Sequence, residues 1–373
     1  MRTVRRIAEL REALSPARRA GRRIGLVPTM GAFHEGHLSL IRRARAQCEV
    51  VVVSLFVNPI QFDQREDLLA YPRDEARDAT LAARLGVDVL FAPPAEELYP
   101  PGFSTTVVVR GVSERLEGLH RGRAHFDGVA TVVAKLFNIV QPEVAYFGQK
   151  DAQQVLVVRR LVADLNLPVR IETCPIVRAR DGLALSSRNR RLSGAARERA
   201  VALSRALAAA DEAVRAGVSD AVAVRRRALD VLSDAGVEVD YFELADPDTL
   251  APLERVEGSA LALVAGRVEG VRLIDNRLLG RDGAALEPAA QAADRAGPGP
   301  APGPVAPTPF APGQDPAAVG EAAAEASHDC AAVAARKLST PPGEHLPEPK
   351  RKESQCHPRP PTSRFRLTPR GCR

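Results

Sequence analysis

Two histidines stand three residues apart in the segment Val27–His37, which reads Val-Pro-Thr-Met-Gly-Ala-Phe-His-Glu-Gly-His. The segment follows a short apolar run and opens a helical pattern, so His34 and His37 can face one ligand at a helix start. That helix start offers free N–H groups to a phosphate, and Gly31 and Gly36 let the backbone approach it closely. Imidazole N–H groups can donate to phosphate oxygens as negative charge develops. The pattern indicates nucleotidyl transfer.

Two other interpretations of this histidine pair stay open. The pair could ligate a metal ion, but no third His, Cys or carboxylate is patterned with it. The zincin signature H-E-x-x-H also has one more residue between its histidines. Alternatively, the pair could be purely structural, on a glycine-rich turn. We therefore predict no protein-held metal site and favour nucleotidyl chemistry.

Further polar side chains follow later apolar runs. Lys150 comes soon after the run Val144–Phe147 and can reach a phosphate as a point charge. The loop Ser186–Arg188 combines hydroxyls with a guanidinium, which suits a triphosphate, although an exposed turn is the simpler alternative. Gln61 and Gln154 are uncharged donors and acceptors that can orient a small acid, and both could equally be exposed amides.

These side chains are set among strand-length apolar runs that alternate with amphipathic helical stretches. The predicted strands are Ile24–Val27, Val50–Val57, Val87–Phe91, Thr106–Val109, Val144–Phe147 and Val169–Ile176. The predicted helices are Met1–Leu14, His37–Ala46, Asp74–Leu85, Gly128–Val140 and Ala152–Asp164. The alternation predicts an α/β fold with a Rossmann-like, doubly wound parallel sheet. Ligands bind such sheets at the carboxyl ends of the strands, where the histidine segment and Lys150 lie.

The pattern changes near Asp181. Ser193 is placed to cap a long helix that continues to about Ala216. One more helix and three short strands follow, at about Asp220–Ala235, Val239–Leu244, Ser259–Val264 and Val271–Asn276. We therefore predict a Rossmann-like domain over residues 1–180 and a smaller α+β domain over residues 181–286. Residues 287–373, rich in Pro, Ala and Arg, carry too few large apolar side chains to offset chain entropy and are expected to be disordered.

Composition narrows the class of protein. The formal net charge is +6, but from Lys350 onward there are eight Lys/Arg and one acidic residue, so residues 1–349 sum to −1. The basic character therefore belongs to the tail and predicts no nucleic-acid partner for the rest. No run of about 18 apolar residues predicts a membrane helix, and no secretory signal opens the chain. Five cysteines without C-x-x-C spacing fit a reducing cytoplasm.

Four ordered blocks over about residues 1–280 resemble the pantoate–β-alanine ligases, or pantothenate synthetases, a family of the H-x-G-H nucleotidyltransferase superfamily. The blocks are Val27–His37; Phe56–Phe62 with Tyr71-Pro72-Arg73; His125–Val129 with Phe147–Gln154; and Asp181–Asn189. Two positions depart from the usual pattern. Leu185 stands where Met is usual, and Gln149 where Glu is frequent. Because volume is nearly kept and the neighbouring residues remain, we expect ATP binding to survive both changes.

The resemblance implies an ATP-dependent condensation of (R)-pantoate with β-alanine through a pantoyl adenylate, giving pantothenate, AMP and pyrophosphate. It implies catalytic roles for His37, His34, Lys150 and Arg188. The residues it assigns to ATP are Met30, Gly31, Ala32, Phe33, His34, Glu35, Gly36, His37, Gly148, Gln149, Lys150, Asp151, Val177, Leu185, Ser186, Ser187 and Arg188. Gln61 and Gln154 are assigned to pantoate, and Gln61 also to β-alanine. By the same resemblance, residues 1–180 are expected to bind ATP and pantoate, and residues 181–286 to act as a lid. Mg²⁺ is expected to travel with ATP, held largely by phosphate oxygens and water, and a cytoplasmic homodimer is expected.

Two rival functions remain. Another nucleotidyltransferase of the same superfamily would make a dinucleotide-like product without an amide bond, and the blocks around Gln61 and Gln154 argue against it. A nucleic-acid-binding protein is suggested only by the basic end. That end carries one aromatic residue, Phe365, so it lacks stacking platforms for bases.

Overall fold

The structure is a computed structural model that describes residues 1–62 and 65–280; the predicted tail lies outside these residues. The helices are α1 (Ile7–Arg19), α2 (Glu35–Gln47), α3 (Arg65–Ala70), α4 (Glu75–Arg84), α5 (Ala95–Leu98), α6 (Glu117–Arg121), α7 (Arg123–Val140), α8 (Ala152–Asp164), α9 (Gly194–Ala200), α10 (Ala202–Arg215) and α11 (Ala221–Asp234). The strands are β1 (Arg2–Val4), β2 (Ile24–Thr29), β3 (Val50–Leu55), β4 (Val89–Phe91), β5 (Val144–Gly148), β6 (Arg170–Cys174), β7 (Glu238–Ala245), β8 (Ala260–Val268) and β9 (Val271–Leu279).

Six parallel strands form the first sheet, in the order β1-β4-β3-β2-β5-β6. From β2 the chain runs outward through β3 and β4 in one direction, and from β5 to β6 in the other. The strand order therefore reverses between β2 and β5, which are hydrogen-bonded neighbours with Leu26 opposite Ala145. In an open α/β sheet, this reversal opens a crevice at the carboxyl ends of the two strands.

Both faces of this sheet are covered, as a doubly wound fold requires. Along β2, Leu26 packs into the core that contains α1 and α7, while the next residue, Val27, packs into the core that contains α2 and α4. Along β3, Val52 packs into the core with α1 and α7, and Val51 and Val53 pack into the core with α2 and α4. The two-residue period of a strand thus divides an unbroken apolar run between two helical layers, and the predicted fold class is confirmed.

The smaller sheet is antiparallel, in the order β7-β8-β9. In β8, Ala262 and Val264 pack with α10 and α11, whereas Leu261 and Leu263 belong to the same core as the first sheet. Both faces of β8 are therefore buried. Residues 1–280 lie in one compact unit, and the predicted domain division at residue 181 stays a prediction.

Three local predictions were wrong or incomplete. Residues Thr106–Val109 form no strand; their chain lies against α7, where the Val107 amide donates to Thr131 Oγ1 at 2.9 Å instead of to a strand. The first residues, predicted as helix, begin with the edge strand β1, which is too short and charged to show a strand pattern. The predicted helix after Ser193 is broken at Val201 into α9 and α10, although Ser193 does cap it, accepting from Ala196 N.

A buried carboxylate joins α6 to the second sheet. Glu117 on α6 is 6% exposed. Its two oxygens accept from both Nη atoms of Arg272 on β9, at 2.7 and 2.8 Å, from Arg121 Nε at 2.7 Å and from the Tyr241 hydroxyl at 2.9 Å. Arg272 Nε also donates to Asp240 at 2.6 Å. Burial by itself would raise the pKa of Glu117, but Arg272 and Arg121 outweigh it and lower the pKa to about 2.

We predict that Glu117→Gln destabilises the fold by about 3 kcal/mol at pH 7, because it removes one of the two carboxylates, Glu117 and Asp240, that neutralise the largely buried Arg272. The stabilisation from Glu117 is present above its ordinary pKa of 4.5 and is lost as the pH falls through the folded value of about 2. The difference in unfolding free energy between wild type and variant should therefore shrink between these two pH values. Urea unfolding at a series of pH values measures it.

Glu114→Gln is the matched control, since the Glu114 side chain is 39% exposed and its ion pair with Arg110 is long, at 3.7 Å. An exposed pair of this kind contributes little, so this variant should unfold like wild type. Equal effects of the two substitutions would contradict the assignment of Glu117 as the buried link.

Candidate functional site

The predicted residues gather at the crevice between β2 and β5. The segment Met30–His37 follows β2, and Gly148–Asp151 follows β5, so both leave the sheet at neighbouring carboxyl ends. Gln61 lies in the 3₁₀ turn Pro59–Gln61, which follows β3 on the other side of β2. Three predicted segments are therefore brought together by strand order alone.

The turn after β2 is held by a buried carboxylate. Gly31 has φ +87° and Ala32 has φ +54°, both in the left-handed region. Asp78, 1% exposed, accepts from Ala32 N at 2.7 Å and from Phe33 N at 2.9 Å. A Cβ on Gly31 would stand 2.7 Å from Leu55 and 3.0 Å from Asp78, so the turn needs glycine there. Asp78 thus fixes the direction in which the chain enters α2.

His34 and His37 are joined to the start of α2 through one nitrogen each. His34 is the N-cap, and its Nδ1 accepts from Gly36 N at 3.1 Å. The Nδ1 of His37 accepts from His34 N at 3.4 Å, and the two ring centroids lie 4.2 Å apart. Because Nδ1 of each neutral ring is an acceptor, the ring proton belongs on Nε2. Each histidine therefore keeps one N–H donor for a ligand.

Both imidazoles are uncharged at neutral pH. Burial, followed by the charge of Lys150, lowers the pKa of His34 to about 4. Burial and the neighbouring His34 lower the pKa of His37 to about 3, with a further contribution from Lys150. The field of Lys150 thus reaches both rings, which places the β5 turn beside the histidine segment. Neutral donors suit the stabilisation of charge that grows on a phosphate.

Lys150 lies in the 3₁₀ turn Gln149–Asp151, and the second sheet holds this turn. Asn276 on β9 donates through Nδ2 to the carbonyls of Gln149 at 2.9 Å and Lys150 at 3.1 Å. Gln149, 4% exposed, donates through Nε2 to Asn276 Oδ1 at 3.3 Å. The amide found where Glu was expected is therefore part of an amide–amide pair.

Val177 and Leu185, which are eight residues apart in the chain, form one hairpin. Leu185 N donates to the carbonyl of Val177 at 2.9 Å, and Arg178 bridges to Ala184. Ser186 caps the following 3₁₀ turn by accepting from Arg188 N at 3.2 Å. Arg178 anchors the hairpin through two bonds to Asp275, at 2.6 and 2.9 Å.

Positive charge is concentrated around one carboxylate. Burial and then Arg121 lower the pKa of Arg188, which nevertheless stays protonated. Burial raises the pKa of Asp151, but Lys150, Arg121 and Arg188 outweigh it, so the pKa lies below its ordinary value. Burial raises the pKa of Tyr71 to about 12; the charge of Arg188 opposes this shift and that of Asp151 adds to it. These fields connect Lys150 with the Arg188 loop in one cationic site.

Gln61 is built into the wall beside the histidine segment. Its side chain is 9% exposed, donates to the Met30 sulfur at 2.8 Å and accepts from Asn58 Nδ2 at 3.1 Å. The Tyr99 hydroxyl donates to Asn58 at 2.8 Å, which fixes the amide of Asn58. A Cβ on Gly128 would lie 2.6 to 2.8 Å from the backbone of residues 60 and 61, so α7 approaches this turn only because the residue is glycine.

Gln154 is placed differently from Gln61. It lies half-exposed in the first turn of α8, and its side chain forms no hydrogen bond within residues 1–62 and 65–280. Its neighbour Gln153 is 3% exposed and holds the loop before α6, donating to Val112 O and Arg115 O and accepting from Glu117 N. The two adjacent glutamines therefore differ in role, and only Gln154 is available to a ligand.

Sequence reasoning missed several residues that shape this site. Asp78 lies in the first turn of the predicted helix Asp74–Leu85, where acidic residues are common, so the sequence gives it no special role. Nothing in its spacing reveals that it accepts two amides from a turn 45 residues away. Asp275 and Asn276 were seen only as the end of a strand. Their role depends on a contact between two sheets, for which the sequence offers no local signal.

Metal-binding and membrane features were assessed over the same described residues. They hold no group of three His, Cys, Asp or Glu side chains arranged to bind a metal ion. Within them, no helix is both long and apolar enough to cross a bilayer. Cys48 and Cys174 are free and buried.

Comparison with known proteins gives consistent matches. The family model described as pantoate-beta-alanine ligase matches residues 2–278. A pantothenate synthetase of Cereibacter sphaeroides is 59% identical over 275 residues, covering 73% of this chain and 98% of the relative. The match stops before the tail, as the four sequence blocks do.

Two solved structures agree with the fold. Pantothenate synthetase from Thermus thermophilus is 49% identical with a TM-score of 0.70, covering 74% of this chain and 99% of that one. Pantoate-beta-alanine ligase from Francisella tularensis, complexed with beta-gamma ATP and beta-alanine, is 33% identical with a TM-score of 0.63, covering 76% and 100%. The resemblance inferred from the motifs is confirmed.

Asp78→Asn should weaken ATP binding on the order of tenfold. One of the two main-chain N–H groups that now donate to the carboxylate would face an NH₂ group in the variant, and the turn would shift. Isothermal titration with ATP measures this. Glu75→Gln on the same helix is the control, since Glu75 only pairs with Arg5 at the surface and such pairs contribute little. Unchanged affinity in Asp78→Asn would show that Asp78 does not set the turn.

The depressed pKa values predict a specific pH dependence. Both histidines stay neutral until the pH falls to about 4 for His34 and about 3 for His37. Their Nε2–H donors are therefore unchanged between about pH 5.5 and 8, and kcat/KM for ATP should show no inflection at the ordinary histidine value near 6.5. An inflection there that disappears in His37→Gln would contradict this. NMR titration of the imidazole nitrogens is an independent check.

Proposed function

Because the chain belongs to the pantoate–β-alanine ligase family, we propose that it condenses pantoate with β-alanine, using ATP and passing through a pantoyl adenylate. The observation that carries this proposal is the crevice between β2 and β5. There, His34 and His37 keep neutral N–H donors, and Lys150 and Arg188 add positive charge, which is an arrangement that suits a nucleotide. Gln61 lies in the wall beside it.

In the first step, a carboxylate oxygen of pantoate attacks the α-phosphorus of ATP and forms a new P–O bond. The bond to the bridging oxygen breaks, and pyrophosphate leaves with its electron pair. A bare carboxylate is a poor acyl electrophile, whereas the resulting mixed anhydride has AMP as a good leaving group. No protein nucleophile takes part, so catalysis is positioning and charge stabilisation.

The described side chains divide this work. The Nε2–H groups of His34 and His37 donate to phosphate oxygens, and the left-handed turn at Gly31 lets the chain approach the nucleotide closely. Lys150 and Arg188 offset the charge that grows on the leaving pyrophosphate. We assign the hairpin that pairs Val177 with Leu185 to ATP as well, because it leads directly into the Arg188 turn. The other predicted ATP-binding residues lie in the same parts of the chain, which are the segments 30–37 and 148–151 and the hairpin region 177–188.

In the second step, the amine of β-alanine attacks the acyl carbon, the C–O bond to AMP breaks, and a proton leaves the amine. We assign pantoate to Gln61 and Gln154, and β-alanine to Gln61. Gln61 is suited to this because Asn58 and Met30 hold its amide in place before a ligand arrives. An uncharged amide orients the acid without trapping it as an ion pair.

ATP enters as its magnesium complex. Mg²⁺ prefers phosphate oxygens and water with one or two carboxylates, and the ionised Asp151 beside Lys150 suits that donor set without a protein cage. The bound ion would neutralise phosphate charge. We also propose that residues 181–286 act as a lid and that the protein is cytoplasmic. We further propose that it forms a homodimer, which light scattering can test.

The alternative within the superfamily, a nucleotidyltransferase that forms no amide, differs in its need for pantoate. Pyrophosphate release should require ATP and pantoate, and a single turnover should give pyrophosphate without β-alanine. AMP and pantothenate should appear only when β-alanine is added. A burst of pyrophosphate measured by rapid quench tests this sequence.

His37→Ala is the companion variant and should slow the burst by a factor on the order of 10² to 10³. A near-normal burst would remove His37 from the mechanism. Absence of pyrophosphate until β-alanine is added would replace the stepwise scheme by a concerted one. Pyrophosphate release without pantoate would favour the alternative nucleotidyltransferase.

A further inference from the structure

Asn276 reaches from the second sheet into the phosphate side of the site. It is 2% exposed, and its Nδ2 donates to two successive carbonyls, those of Gln149 and Lys150. Its Oδ1 accepts from the Gln149 side chain. The side chain is thus used at both ends, and every one of these bonds goes to the turn that carries Lys150.

The turn needs this support because of its geometry. Gln149–Asp151 is a 3₁₀ turn between the end of β5 and the start of α8. Successive carbonyls in so short a turn lack the regular partners that a strand or an α-helix would supply. Without a donor, these carbonyls would rotate toward another hydrogen-bond partner. The Lys150 main chain would then change its position as well.

The neighbouring residue performs a parallel task. Asp275 accepts two bonds from Arg178, which lies next to Val177 in the hairpin leading to Arg188. Asp275 also accepts from the main-chain Asn276 N at 2.8 Å, which ties its carboxylate to the β9 backbone next to Asn276. Two adjacent residues of β9 therefore touch both cationic segments of the site, the Lys150 turn and the hairpin.

We propose that Asn276 is a positioning residue for the adenylation step, which sets the place of Lys150 through its main chain, with Asp275 performing the same task for the Arg188 segment. Asn276 touches no reacting atom. Displacements of about 1 Å in a catalytic group can lower a rate on the order of a hundredfold, so the effect should appear in the chemical step. This inference rests on the proposed function.

The test is a double-mutant cycle in Asn276→Ala and Lys150→Ala, measured as the single-turnover rate of pyrophosphate formation at saturating ATP and pantoate. Asn276→Ala alone should lower the rate about 10- to 100-fold. In the Lys150→Ala background, the same change should cost less than about twofold, because Asn276 acts through Lys150. Equal factors in both backgrounds, or an unchanged rate in Asn276→Ala, would overturn the proposal.

Asn276→Asp keeps the size of the side chain and replaces the donor by a carboxylate that faces two carbonyls. The pKa of an aspartate there should rise, because its neutral form restores a donor. The ratio of the variant rate to the wild-type rate should therefore increase as the pH falls from about 8 to about 6. Asn138→Asp, at an exposed position of α7, is the control and should keep a constant ratio near one. A constant ratio in Asn276→Asp would count against the proposal.

Stability is measured separately by thermal unfolding of every variant. If both Asn276 variants fail to fold at room temperature, Asn276 is a stability residue and the proposal is wrong. Asp275→Asn should lower the rate by a factor that does not change with pH, because the introduced amide does not titrate. If wild type forms no pyrophosphate from ATP and pantoate, the proposed function fails by itself. The inference is then decided by ATP affinity, which Asn276→Ala should weaken in the presence of Lys150 but not in its absence.

Discussion

The carboxylate of Asp78 and the two amides of Ala32 and Phe33 determine the shape of the site. Where β2 ends, these amides lose their strand partners, and a buried N–H without an acceptor is costly. Asp78 accepts both, which stabilises a left-handed turn that only a glycine can open. Once the turn is set, His34 becomes the N-cap of α2, and its cap bond leaves Nε2 as the free donor.

The second sheet completes what the first begins. β8 buries both of its faces, so its leucines extend the core under the first sheet while its alanines receive α10 and α11. Glu117 and Arg272 then pair across the junction, and Asp275 and Asn276 stand at the crevice. A turn that is held by hydrogen bonds from another element is positioned accurately only when that element is itself fixed. The packing of β9 thus supports the turn that carries Lys150.

Electrostatics in this protein is local. Residues 1–349 carry a net charge of −1, so no general basic surface attracts a nucleotide. Instead, Lys150, Arg188 and Arg121 act on the same buried neighbours and on Asp151. Burial keeps both histidines neutral beside these cations. Partial exclusion of water strengthens such charges, which makes a small number of them sufficient for a triphosphate.

The sequence alone determined the family, the doubly wound sheet and the segments that meet at its crevice, because apolar periods and short motifs are local properties of a chain. It also assigned Gln61 and the Val177–Leu185 region to ligands by resemblance, and these assignments stay predictions. Tertiary structure decided the rest. Thr106–Val109 lies against α7 and forms no strand. Of the adjacent glutamines, Gln153 holds a loop and Gln154 is half-exposed. Asp78 and Asn276 hold the turns that carry the candidate site residues. Each of these outcomes depends on the hydrogen-bond needs of groups distant in the chain, which local patterns do not encode.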